Sequence, residues 1–159
     1  MSDLQNMLMD YMEFMVKMRS GMNKPKGAIY LGMEDFVSKN GELFTSCKYP
    51  KKYIEFRGEK RDCYRNAFQL MMSNSELTYV EGYGISKTIP LPIPHAYCVD
   101  EEGNVVDPTW DDQEDCIYFG VKFSSEYTYE TIMRTQIYGL IENYKERFPL
   151  YMGKHKDFK

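Results

Sequence analysis

The stretch Asp62-Cys63-Tyr64-Arg65-Asn66-Ala67-Phe68-Gln69-Leu70-Met71-Met72-Ser73 decides how this chain is read. Tyr64, Ala67, Phe68, Met71 and Met72 recur at the spacing of one helix face, and Asp62 has the side chain of an N-cap. The segment therefore predicts a helix with Cys63 in its first turn. Unpaired amides and aligned peptide dipoles favour negative charge at that position, which is where a thiol works best as a nucleophile.

Downstream, Ser73-Asn74-Ser75 breaks the pattern, and residues 77–83 alternate and are rich in β-formers, which predicts a strand. Ile89-Pro90-Leu91-Pro92-Ile93-Pro94 cannot be a central strand and predicts an extended connector that delivers His95 to the next element. The run from His95 to Asp100, the turn Glu101-Glu102-Gly103-Asn104 and the extended Val105-Val106-Asp107 predict a hairpin, with Asp107 across from the His95 strand. A further strand is expected over 117–123, then a long helix capped by Thr128 and running to Phe148 before Pro149, with Ile132, Ile137, Leu140 and Tyr144 inward.

Upstream, Leu4, Met7, Leu8, Tyr11, Met15 and Met18 predict an amphipathic helix over 1–20, ended by Gly21 and Pro25. A short helix is expected over 33–38, with an Asn40-Gly41 turn after it. The expectation is a single α+β domain over 1–159: an N-terminal helix (1–20), a core (61–123) in which a helix packs on a small antiparallel sheet, and a C-terminal helix (128–148).

Composition narrows the function classes. Hydrophobic residues make up 43% and charged residues 28%, as in an ordinary globular protein, while a net charge of -4 disfavours nucleic acid as a partner. Asp3, Asp10 and Glu13 interrupt the N-terminal apolar residues and no basic leader precedes them. Neither a signal peptide nor a membrane span is expected, and a cytoplasmic location follows. Cys47, Cys63, Cys98 and Cys116 are then expected as reduced thiols. The glycine-rich phosphate and dinucleotide motifs and Gly-x-Ser-x-Gly are missing, so no cofactor is expected.

A nucleophilic thiol needs a base, and the chain has two histidines, His95 and His155, the latter in a basic tail. His95 begins a strand from which its ring can face a helix N-terminus, and Asp107 is placed to orient the imidazole. The competing chemistry is a metal site from His95, Cys98 and Cys63 or Cys116. Residues three apart on a strand point to opposite faces, which makes joint ligation by His95 and Cys98 awkward, so no metal is expected. Trp110, Tyr97, Tyr64 and Tyr83, with Tyr118 and Phe119, are candidates to flank a cleft, Trp110 closing over it; packing is the alternative for each. The cations Lys48, Lys51, Lys52, Arg57, Lys60 and Arg61 read as a solvated face that adds positive potential near Cys63.

Four local contexts carry a resemblance: Arg61-Asp62-Cys63-Tyr64-Arg65-Asn66-Ala67, Val80-Glu81-Gly82-Tyr83-Gly84, His95-Ala96-Tyr97 and Val105-Val106-Asp107-Pro108-Thr109-Trp110. In that order they resemble the transglutaminase-like and papain-like cysteine enzymes, and the chain is also similar to small bacteriophage proteins with this core. The resemblance covers residues 61–110. It implies a papain-like fold with Cys63 as nucleophile, His95 as general base and acid, and Asp107 as orienting carboxylate. The family often has Gly immediately before the cysteine, where this chain has Asp62. The implied activity is acyl transfer or hydrolysis at an amide, peptide or thioester carbonyl of a protein or peptide substrate. The alternative is a binding or inhibitory protein, phage-encoded and aimed at a host protein, that keeps the fold.

Overall fold

The computed structural model describes residues 2–159 and shows a mixed α+β protein. Its helices are α1 (Asp3–Ser20), α2 (Met33–Asn40), α3 (Cys63–Ser73) and α4 (Ser125–Thr135). Its strands are β1 (Glu42–Phe44), β2 (Thr78–Ser86), β3 (Ile93–Val99), β4 (Val105–Val106) and β5 (Cys116–Phe123). The strands form one antiparallel sheet in the order β1-β5-β2-β3-β4.

β2 lies at the centre, with Gly82 opposite both His95 of β3 and Gly120 of β5. Alternation sends Tyr79, Tyr83 and Ile85 into the main core under the helices, while Val80 joins a second, smaller core with Phe44, Tyr97, Val99, Val105, Cys116 and Tyr118. Both faces of the sheet are therefore covered, and nearly every residue of β2 is buried. Gly82 permits the close strand approach: a Cβ there would lie 2.2 Å from the Phe119 carbonyl oxygen.

β4 pairs only at Val105 and Val106, opposite Val99 and Cys98, so the N-terminal half of β3 has β2 as its one neighbour. That half includes Pro94, which pairs with Tyr83. The expected connector thus gives way to strand at Ile93, two residues before His95. A missing N–H is tolerated where no second strand competes for it.

Three expectations on the helices are corrected. In α1, Leu8 and Met12 are the buried residues, whereas Met7 and Met18 of the expected inward stripe are 44% and 56% exposed. Asp62 stands at the N-cap of α3 without making a side-chain cap, its carboxylate instead lying 3.8 Å from Arg65. The C-terminal helix starts earlier and is much shorter than the expected 128–148. Ser124 caps it by accepting from the Tyr127 amide, and Gln136 ends it in the left-handed region.

The reason for that early end lies in the centre of the sheet. The fully buried Glu81 of β2 accepts from the amides of Leu140 and Ile141 at 2.6 and 3.0 Å, and from the Tyr79 hydroxyl at 2.8 Å. An α-helix continued through 140 and 141 would turn those amides back on its own carbonyls and leave a buried carboxylate unsatisfied. Burial nevertheless dominates, pushing Glu81 up to about 7 against the lowering effect of its three donors. No helix among the described residues is long and apolar enough to cross a membrane.

Candidate functional site

His95 and Asp107 meet as the hairpin reading requires. His95 Nε2 lies 2.7 Å from Asp107 Oδ2, and both side chains are buried, 2% and 0% exposed. Asp107 accepts three further bonds: the Tyr118 hydroxyl donates to Oδ2 at 2.8 Å, and the amides of Thr109 and Trp110 donate to Oδ1 at 2.9 and 3.2 Å. A carboxylate with this donor set is compensated as an anion without water. For His95, burial alone would lower the pKa. The charge and hydrogen bond of Asp107, reinforced by the adjoining Cys63 side chain, outweigh burial and raise it to about 9.

With Nε2 engaged by Asp107, Nδ1 is the ring nitrogen left for a second partner. Cys63 is partly exposed at the first position of α3, and its side chain adjoins the ring closely enough to help raise its pKa. Because Asp62 makes no side-chain cap, the first-turn amides of α3 are not claimed from that side. The other three cysteines sit in different surroundings. Cys98 donates to the Ala67 carbonyl, Cys116 to that of Asp112 and Cys47 to that of Val105, and all three thiols are pushed up, chiefly by burial.

Trp110 covers the imidazole. Its ring stacks on His95 at a centroid distance of 4.0 Å and an interplanar angle of 17°. The space for the indole exists because residue 84 lacks a side chain: a Cβ on Gly84 would lie 2.7 Å from the Trp110 ring. Beyond the indole opens a cleft of about 450 Å³ lined by Lys60, Arg61, Ile89, Ile93, Trp110 and Asp111 among others.

The remaining expected cleft residues lie elsewhere. Tyr83 is buried in the main core with its ring 5.9 Å from Tyr11. Tyr97 is fully buried in the smaller core, 4.7 Å from Tyr118 and 5.9 Å from Phe44. Tyr64 packs against the main core, and Phe119 is buried within it. Both sheet faces are covered, so aromatic residues of the inner strands become packing rather than lining.

Arg57 and Gln113 support the site without being singled out by the sequence, and Asn66, a polar side chain on the helix of Cys63, supports it too. Arg57, expected on a solvated face, stacks on Tyr49 at 3.7 Å and donates to the carbonyls of Trp110 at 2.8 Å and Asp107 at 3.4 Å. It ties down the loop that carries both Asp107 and Trp110. Gln113 accepts from the Asp107 amide at 2.8 Å and donates to the carbonyls of Cys47 and Val105 at 2.7 and 2.9 Å. Asn66 donates to Glu59 O at 2.8 Å and Thr109 Oγ1 at 3.0 Å, joining α3 to the same loop. Only Asn66, polar on an apolar helix, carried a local signal. Both of its Nδ2 hydrogens are used in these bonds, so it positions the loop.

Compared with known proteins, the chain matches no family model, no curated protein and no solved structure.

Proposed function

We propose that this protein is a cysteine-dependent acyl-transfer enzyme of the transglutaminase-like or papain-like type, acting on an amide, peptide or thioester carbonyl. The observation that carries the reading is the alignment of Asp107, His95 and Cys63 around one buried imidazole. In the first half-reaction Cys63, as the thiolate with the proton on His95, attacks the carbonyl carbon, and the oxyanion that forms faces the first-turn amides of α3. His95 then gives its proton to the leaving amine or thiol as the bond to carbon breaks, leaving a thioester on Cys63. In the second, water or an amine attacks that thioester, His95 takes up the proton, and the thiolate leaves. Asp107 fixes the ring and stabilises its charged form throughout.

Profiling with activity-based electrophiles directed at acyl-transferring cysteines tests this. Wild type should gain one adduct, located at Cys63 by mass spectrometry, with labelling lost in Cys63→Ala and at least tenfold slower in His95→Ala. Labelling that ignores His95 would overturn the reading. The second reading, a binding protein that acts on a partner protein without catalysis, is favoured by Met7, Phe14, Met18 and Met22, which are 44–66% exposed along and just beyond α1. It predicts that partner capture survives Cys63→Ala and is lost when Phe14 and Met18 are changed to charged residues.

A further inference from the structure

We infer that the cleft beside Trp110 receives an acidic peptide, with Arg61 holding a substrate carboxylate next to Cys63; this rests on the cysteine-enzyme reading above. Arg61 has a φ of 69°, in the left-handed region that disfavours residues with a Cβ. Glycine would adopt it freely. The chain thus carries a long cation where the backbone favours no side chain at all, two residues before the nucleophile and on the cleft wall.

The other charges around the cleft have partners. Asp111 lies 3.6 Å from Arg57 and 3.8 Å from Lys60, and Asp112 accepts from the Thr88 hydroxyl at 3.2 Å. Outside the cleft wall, Asp62 lies 3.8 Å from Arg65. Arg61 makes no ion pair among the described residues. Its planar fork suits a carboxylate, which it can hold through two parallel bonds. In the same cleft, Ile89, Ile93 and the indole of Trp110 offer apolar lining. Such a surface fits an extended peptide whose acidic side chain reaches Arg61 while a neighbouring apolar side chain lies on that lining. Asp111 and Asp112 keep the cleft from being a general anion trap, since a polyanion would meet both.

The experiment compares two probes of similar size on the full chain, iodoacetate (anionic) and iodoacetamide (neutral), reading the alkylation rate at Cys63 by peptide mass. The iodoacetate-to-iodoacetamide ratio in wild type should exceed that of free cysteine, and fall at least threefold in Arg61→Gln and Arg61→Gly while Arg61→Lys retains most of it. Arg61→Gly removes the backbone penalty, so it folds at least as well as wild type. A ratio unchanged by both Arg61→Gln and Arg61→Gly overturns the inference. The ratio is independent of the absolute rate: slow alkylation insensitive to His95→Ala sinks the enzyme reading, whatever the ratio says of Arg61. In the same variants, peptides with Glu and with Gln at one position should quench Trp110 differently in wild type and alike in Arg61→Gly.

Discussion

The indole of Trp110 lies flat on the imidazole of His95, with ring centroids 4.0 Å apart and planes within 17° of parallel. This is the chain's one tryptophan, so a fluorescence change from tryptophan is a change at this site. A protonated imidazole quenches a stacked indole, and His95 holds its proton up to about 9. Emission is therefore expected to rise as pH increases through about 9, with no such step in His95→Ala. Gly84→Ala places a methyl group where the indole now sits; it should lift Trp110 from the ring and remove the step while the sheet remains folded.

Arg57 binds the carbonyls of Trp110 and Asp107 while stacked on Tyr49. Its loss leaves two carbonyls short of a charged donor and removes a cation–π contact, at a cost of about 2–3 kcal/mol. Arg57→Ala should lower the urea midpoint accordingly. Arg57→Lys should recover less than half of the loss, because an ammonium has neither the fork nor the flat face. An equal midpoint for wild type and Arg57→Ala would mean that the loop is held by Gln113 and Asn66 alone.

Glu81 gives stability a pH dependence of the opposite sign to the usual carboxylate. Its pKa is raised from the ordinary 4.5 to about 7 in the folded chain, so between those values the folded state holds a proton that the unfolded state has released. Stability contributed by this group is present below that window and declines as pH rises through it. Unfolding free energies measured between pH 4.5 and 8 should show this decline. Glu81→Gln should flatten it, at a cost of about 1–3 kcal/mol from the acceptor lost to a backbone amide.

His95 contributes with the sign of a raised base. Its charged form is stabilised by Asp107, so its contribution is complete below the ordinary histidine range and is lost as pH rises through about 9. His95→Ala should remove the alkaline fall in stability that this produces.

What the sequence made legible is what local pattern encodes. The start of α3 at Cys63, the strand that carries His95 and the hairpin that returns Asp107 each follow from spacing and turn chemistry within about fifteen residues. Their meeting is then a consequence of topology. What stayed hidden was decided over longer separations. Arg57 acts on residues 50 and 53 positions away, in a segment whose composition reads as a solvated face. The apolar positions Ile137, Leu140 and Tyr144 continue a helical period, yet Glu81, 59 positions before Leu140, takes the amides that a helix would use. Tyr83 and Tyr97 sit on strands covered on both faces, which no alternation within one strand reveals.

The most direct test of the account is the rate of Cys63 alkylation by iodoacetamide in wild type and His95→Ala, followed across pH. An imidazolium held by Asp107 favours negative charge on the adjoining sulfur, so at neutral pH wild type should react at least ten times faster than the variant. The ratio should fall toward unity as pH is raised through about 9, where His95 loses its proton. Equal rates in the two proteins at every pH would contradict the coupling of Cys63 to His95, and with it the proposed chemistry.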